Sequence, residues 1–294
     1  MRNTVVYIIS IKLRHLFILV VSILFLATCS STQLIYKLVE NFIQEEVSYF
    51  VDLNEEENIL LKQQVSEMVL WHRTYMMPSY ASYLEDIANN LDVGKYDTPV
   101  ITKVLSNGQI LIEKTVKGLT PFASKFLIQH QTIEDIKFIE EQMGTRRQER
   151  LEELSKPMDI QYEKRLKRLT SNFERFFGTL SDEQVILLKA YASATFDASK
   201  IRLNNRTQRQ KVFLEFFKTK PTEAMLTNYL NKLLLRGYLI TNPGYKTFSD
   251  TSLNRFQSLL VDMLAISSNI QREAIVSTLR KYANDFKAVS SLDL

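Results

Sequence analysis

The chain has 294 residues, 45% of them hydrophobic, with 37 Lys and Arg against 33 Asp and Glu. Arg2, Lys12 and Arg14 lie in the first 28 residues, which contain no acidic residue, and leaving them out gives 34 basic against 33 acidic residues. Without a general positive charge, we expect no nucleic-acid partner. Seven glycines and six prolines are too few turn signals for a sheet protein, so the expected fold is an all-α multi-helix bundle of about ten helices.

The first 28 residues have the pattern of a secretory signal. Lys12 and Arg14 flank an apolar run from Leu16 to Leu26, and small residues follow it. The run reaches the roughly 20 apolar residues of a spanning helix only by including both charges, each costing about 2.5–3.5 kcal/mol at bilayer depth. We therefore predict a cleaved signal over 1–28 and a mature helical domain over 29–294. Residues 178–181 are a candidate internal boundary.

Helical periodicity follows closely on the predicted cleavage site. Apolar residues repeat at helical spacing from Leu34, so the first helix begins within a few residues of Cys29. Asn54 is placed to cap a second helix that runs to about Met76, and Pro78 restarts a shorter one. If Cys29 is attached to a membrane, so short a connection would keep the helical domain close to that membrane.

Residues 98–119 fit two structures. Asn107 and Gly108 between two apolar segments are a hairpin signal. The apolar residues also form a helical stripe, and an isolated hairpin in a helical chain would have no further strand to pair with. We therefore predict a helix here.

The second half of the chain is predicted to be helical throughout. Thr132 caps a helix that ends at about Ser155, before Pro157, and a helix with a narrow, coiled-coil-like apolar seam follows. Ser181 and Gln184 form a capping box. Further helices are predicted over 181–203, 206–218, 222–236, 247–266 and 268–288.

Several short motifs are similar to those of one known family. They are Leu26-Ala27-Thr28-Cys29, Tyr49-Phe50-Val51-Asp52-Leu53, Trp71-His72-Arg73, Pro78-Ser79-Tyr80-Ala81, Leu180-Ser181-Asp182-Glu183-Gln184 and Arg206-Thr207-Gln208-Arg209. Together they resemble an uncharacterised family of helical lipoproteins of Gram-negative bacteria, catalogued as a domain of unknown function. The resemblance implies acylation of Cys29, although Thr28 departs from the usual Gly, Ala or Ser. Ser30, in place of Asp, implies sorting to the outer membrane. No catalytic residue is implied.

Few residues are candidates for chemistry. Outside the predicted signal, one cysteine and two histidines far apart, His72 and His130, predict neither a metal site nor a cofactor. His72 is the candidate general base, with Arg73 and Tyr80 as neighbours that could bind a ligand. In the alternative interpretation, Trp71 packs in the core while His72 and Arg73 make structural hydrogen bonds between helices.

Basic residues form a candidate anion-binding patch around a polar break between two predicted helices. Its members are Lys200, Arg202, Arg206, Arg209 and Lys211. Arginines there could bind an acidic partner, lipid headgroups or a glycan carboxylate, or else form a solvated face with internal salt bridges. The mixed charges from Arg146 to Arg168 indicate an exposed surface with weak ion pairs.

The leading hypothesis is an acylated lipoprotein at the periplasmic face of the outer membrane. It would be a non-enzymatic interaction or structural module with a protein partner in the envelope. The alternative is a periplasmic enzyme or carrier for envelope lipid or glycan, with His72 as the polar group of a pocket lined by Trp71, Tyr75, Tyr80 and the phenylalanines of 173–177. A third hypothesis is a cytoplasmic helical regulator that retains residues 1–28.

Overall fold

The computed structural model describes residues 31–291, with side chains from residue 38 onward. Cys29 and the predicted signal lie outside the described residues. The all-α prediction is confirmed: residues 31–291 form eleven α-helices with one π-helical and one 3₁₀ segment, and no strand. None of these helices is long and apolar enough to cross a membrane. The helices are α1 Ser31–Phe50, α2 Glu55–Trp71, α3 Met77–Asp92, α4 Thr98–Leu127, α5 Ile133–Ser155, α6 Met158–Phe177, α7 Asp182–Ala194, α8 Ala198–Phe217, α9 Glu223–Arg236, α10 Gly244–Ala265 and α11 Asn269–Ser290.

The predicted helix starts at Asn54, Thr132 and Ser181 are confirmed. Each side chain accepts a hydrogen bond from the backbone N–H three residues later, at 3.0, 3.1 and 3.3 Å respectively. In each case the side chain at that third position returns a bond to the capping residue's own N–H. These reciprocal bonds satisfy backbone donors that the first helical turn leaves unpaired.

The helix prediction for 98–119 is confirmed, because α4 runs without interruption from Thr98 to Leu127. Asn107 and Gly108 lie inside the helix and form no turn. A Cβ atom on Gly108 would lie 2.9 Å from the hydroxyl of Tyr83 on α3, and that hydroxyl donates to the Val104 carbonyl at 3.0 Å. Glycine is therefore used here for a close contact between two helices.

The prediction that Pro78 restarts a helix is confirmed, because α3 begins at Met77 with Pro78 in its first turn. The chain passes from α2 to α3 through a π-helical turn, His72–Met76, in which the Met77 N–H donates to the His72 carbonyl. Proline has no N–H, so Pro78 gives the Thr74 carbonyl no i+4 donor, and a wider turn accommodates the ring. The Trp71-His72-Arg73 motif thus lies where α2 passes into the π-helical turn.

The predicted break near 204–205 is wrong. The chain turns at Thr195–Asp197, and Ala198–Phe217 form one helix. The Thr195 hydroxyl donates to the Tyr191 carbonyl at 2.7 Å and accepts from the Arg165 guanidinium, which fixes the end of α7. Polar residues do not interrupt α8: Lys200, Arg202, Asn204 and Arg206 are exposed, whereas Asn205 is buried.

Two hydrophobic cores lie along α4, whose 30 residues span about 45 Å. The first core joins α1, α2, α5, α8 and α9 around Phe217 and Leu226. The second core joins α3, α6, α7, α10 and α11 around Leu188 and Met263. Both cores draw on residues from either side of 178–181, and an internal boundary there stays a prediction.

Candidate functional site

A cleft with basic walls lies between α5, α6 and α8. It consists of three adjoining cavities of about 290, 390 and 400 Å³ that have Leu203 in common. We call its charged lining the basic cleft: Arg146, Arg147, Arg150, Lys164, Arg165, Arg168, Lys200, Arg202, Arg206, Glu46, Glu149 and Glu153. Nine cations therefore face three carboxylates.

Helical spacing explains why each helix contributes several cations to one face. Arg146 and Arg150 lie four residues apart on α5, as do Lys164 and Arg168 on α6, and Arg202 and Arg206 on α8. Side chains at this spacing project from the same side of a helix. Packing the three helices together then converts separate charged stripes into one basic surface.

Two of the three carboxylates are neutralised within the protein. Glu46 pairs with Arg146 at 3.1 Å, and the Arg146 guanidinium lies 4.2 Å from the centre of the Tyr49 ring. Glu153 pairs with Lys156 at 2.7 Å and Lys164 at 2.6 Å. Hydrogen bonds from these two lysines lower the pKa of Glu153 to about 2, so it is ionised at neutral pH.

The remaining arginines have no such partners. Arg150, Arg168, Arg202 and Arg206 are exposed and form no ion pair with any described residue. Arg165 is half-buried, and burial lowers its pKa, as do the nearby charges of Arg202 and Arg168. The cleft therefore concentrates uncompensated guanidinium groups, which bind carboxylate or phosphate through paired hydrogen bonds.

The structure divides the predicted basic patch. Lys200, Arg202 and Arg206 line the cleft, whereas Arg209 lies against Gly237, where a Cβ atom would be 2.6 Å from the Arg209 Nε. Lys211 is exposed outside the cleft lining. The segment Arg146–Arg168, predicted to be only a solvated surface, forms the opposite walls. Sequence spacing gave each stripe, but no signal in the sequence paired the helices.

The candidate base His72 takes part in a contact between helices. Its Nε2 lies 3.4 Å from the hydroxyl of Tyr80, which also hydrogen-bonds the hydroxyl of Thr115 on α4. Thr115 donates in turn to the Leu111 carbonyl at 2.8 Å. Burial lowers the pKa of His72, so the ring is neutral at pH 7. These bonds join the π-helical turn, α3 and α4, and a catalytic role for His72 stays a prediction.

Trp71 packs on the backbone of α4. A Cβ atom on Gly118 would lie 1.9 Å from its ring, so only glycine permits this contact. The ring of Tyr75 stacks with the Trp71 ring, with 6.2 Å between the two centroids, and Tyr75 remains largely exposed. The Nε of Arg73 is buried and has no hydrogen-bond partner in the described structure.

A second recess, here called the apolar cavity, lies in the second core and has a volume of about 400 Å³. Phe173, Phe176 and Phe177 of α6 line it, as the sequence predicted for a pocket. Its aromatic partner from α3 is Tyr83, whose pKa is raised by burial. Trp71, Tyr75 and Tyr80 do not line this cavity, so the predicted pocket residues belong to two separate places.

His130 lies far from His72 in the first core. It is 2% exposed, its ring centre is 4.6 Å from that of Phe126, and its Nδ1 is 4.0 Å from a Glu57 oxygen. Among residues 31–291, no group of three or more His, Cys, Asp or Glu side chains is arranged to hold a metal ion.

Comparison with known proteins gives one match. The model of a family described as a family of unknown function, DUF6279, matches residues 49–238. No curated protein and no solved structure shows significant similarity. The matched span includes the whole basic cleft except Glu46, and it ends before α10 and α11.

Proposed function

This chain belongs to DUF6279, a family of unknown function, and we propose that it is a non-enzymatic interaction module whose basic cleft binds an acidic segment of a protein partner. The observation that carries the proposal is a group of exposed arginines that form no ion pair within residues 31–291, namely Arg150, Arg168, Arg202 and Arg206. Like charges gathered without internal counter-ions lower the stability of the free protein, and an anionic partner relieves that repulsion.

The form of the cleft favours an extended acidic segment. Three cavities that meet at Leu203 offer cations from three helices, whereas a single small anion would need only one cluster. Leu154, Phe196 and Leu203 lie between the charges and can contact the aliphatic parts of acidic side chains. Arginine also predominates over lysine, and its planar donors suit carboxylates bound in pairs.

The same proposal places the protein at the periplasmic face of the outer membrane, acylated at Cys29. Its support is the lipobox-like sequence Leu26-Ala27-Thr28-Cys29 together with Ser30. In addition, α1 begins at Ser31, so an anchored protein would hold its helical body next to the lipid surface. A partner in the envelope would then meet the cleft near the membrane.

The binding proposal is tested with a fluorescent polyglutamate peptide and the full chain in a neutral detergent. We expect the double variant Arg150→Glu, Arg206→Glu to weaken binding by about tenfold or more, because each change removes a cation and adds an anion. Lys211→Glu, Lys232→Glu is the matched control, since both lysines are exposed outside the cleft and form no ion pair with described residues. Equal loss in the two double variants would contradict the proposal.

A conservative variant gives the opposite effect. Glu153→Gln removes a carboxylate from the cleft and frees Lys164, so polyglutamate should bind about two- to threefold more tightly. Sodium chloride should weaken binding to the wild type more than to the double variant, because screening acts on the same charges. Vesicles of phosphatidylglycerol that bind better than the peptide would favour a lipid headgroup over a protein partner.

The anchoring proposal has its own measurement. The intact mass of protein from the membrane fraction should correspond to a chain that starts at Cys29 and carries fatty acyl groups. Cys29→Ala should release the protein from membranes or leave the first 28 residues attached. A Cys29→Ala variant that stays membrane-bound and has the same length as the mature wild-type protein would contradict acylation. The basic cleft proposal would be unaffected, because the peptide-binding experiment tests it separately.

A further inference from the structure

The apolar cavity lies within the second core, between α3, α4, α6, α10 and α11. Its walls include Leu91, Phe177 and Leu279, each only 6% exposed. The cavity is partly open to solvent. For comparison, an enclosed apolar cavity of roughly 150 Å³ already binds benzene. A volume of about 400 Å³ is therefore in the range of a small-molecule site.

The lining restricts the chemistry of an occupant. Of nineteen lining residues, only Tyr83, Asn90, Lys95 and Asn172 carry polar groups. The Tyr83 hydroxyl donates to Val104 O at 3.0 Å, and the Asn90 amide donates to Asp86 O at 2.9 Å. The interior is consequently suited to hydrocarbon.

Cations mark the mouth of the cavity. An adjoining recess of about 510 Å³ shares Tyr83, Asn90 and Lys95 with it and adds Lys103 and Asp86. Lys95 and Lys103 are exposed and pair with no carboxylate in residues 31–291. An apolar interior with two lysines at its mouth is complementary to an amphiphile that has one hydrocarbon chain and an anionic head.

We propose that the apolar cavity binds one long-chain fatty acid, with its chain among the phenylalanines of α6 and its carboxylate beside Lys95 and Lys103. Scaling from the benzene-sized cavity, the volume accommodates a chain on the order of sixteen carbons. The site shares no lining residue with the basic cleft, so the inference does not rest on the proposed function.

The test uses a palmitic acid analogue that carries a photoreactive diazirine in mid-chain. The full chain is reconstituted in phosphatidylcholine nanodiscs, illuminated with the probe, and digested for mass spectrometry. We expect the labelled residues to be cavity-lining ones on α6, α10 and α11, and unlabelled palmitic acid to compete. Labels spread over the outer surface would overturn the proposal.

Two pairs of variants locate the chain and the head of the fatty acid. Leu169→Trp fills the cavity from a half-buried position and should lower labelling by about tenfold, whereas Leu166→Trp, one turn earlier and outside the lining, should retain it. Lys95→Glu should lower labelling about fivefold, and Lys114→Glu, exposed elsewhere, should have no effect.

Three further results test whether the fatty acid binds in the apolar cavity. Arg150→Glu, Arg206→Glu should label like the wild type, because the basic cleft is a different site. Wild-type labelling in Leu169→Trp, with a thermal midpoint showing that it folds, would overturn the inference. If Leu169→Trp does not fold, Lys95→Glu decides: an unchanged signal there, or equal labelling by the methyl ester of the probe, would contradict a bound carboxylate.

Discussion

The two halves of α6 have opposite environments. Its first three turns carry Lys164, Arg165 and Arg168 along the basic cleft, and Met158 at its start is 70% exposed. Its last turns carry Phe173 and Phe177, which are buried in the second core and line the apolar cavity. One helix thus lines both the basic cleft and the apolar cavity. Removing a side chain should therefore have different consequences at the two ends.

The largest expected difference comes from deleting an apolar side chain at each end. Phe177→Ala should lower the free energy of unfolding by about 3–5 kcal/mol, because it removes a buried ring from the second core. Met158→Ala should change it by about 0.5 kcal/mol or less, since its side chain is mostly in water. Urea unfolding followed by circular dichroism gives both values. Similar losses for the two variants would contradict the assigned burial.

Glycine substitutions compare a core helix with a cleft helix. Gly118→Ala on α4 should destabilise the protein by about 1–3 kcal/mol, because the new methyl group would meet the rigid Trp71 ring. Gly144→Ala on α5 is the control: its nearest neighbour would be Arg147 at 3.8 Å. Alanine should stabilise the helix there by about 0.5–1 kcal/mol. If the thermal midpoints of Gly118→Ala and Gly144→Ala shifted in the same direction, the predicted difference between the two glycines would be contradicted.

Deleting a charge on the cleft side should not weaken the fold. Arg168→Gln keeps the helix and removes a cation that repels the positive charge of Arg165. We expect the free energy of unfolding to stay equal or rise by about 0.5 kcal/mol at low salt, and the gain to disappear at high salt. A salt-independent loss in urea unfolding would mean that Arg168 makes a stabilising contact that the structure does not contain.

The smallest effect concerns pH. The depressed pKa of Glu153, about 2, means that its ion pairs stabilise the fold above the ordinary value of 4.5 and that this contribution is lost as pH falls through about 2. Glu153→Gln should therefore flatten the fall in stability over that range. Glu149→Gln, a cleft carboxylate without an ion pair in the described structure, should leave the slope unchanged. Identical slopes for the two variants would contradict the assignment.

Local features of the fold were predictable because they depend on neighbours in sequence. The caps at Asn54, Thr132 and Ser181 follow from residues three positions apart. The helical state of 98–119 followed from the lack of other strands. The π-helical turn before Pro78 was not predicted, because a proline can equally end a helix or widen it, depending on what packs around it.

The candidate sites were only partly predictable because they depend on which helices meet. Arg202 and Arg206 were identified, but their facing partners Arg150, Arg165 and Arg168 were interpreted as ordinary surface. An apolar seam was predicted along all of α6, yet only its second half is buried. The sequence therefore indicates which residues share a helix face. Which other helix that face contacts is decided by tertiary packing.

Site-specific photo-cross-linking in living cells tests the central claim most directly. A photoreactive residue replacing Leu203, which lines all three cavities of the basic cleft, should cross-link to an acidic segment of one partner protein. The cross-link should disappear when Arg150→Glu and Arg206→Glu are added, and the same residue at Lys232 should not form it. A cross-link that survives both charge reversals, or that maps to a segment without acidic residues, would contradict the proposed binding role.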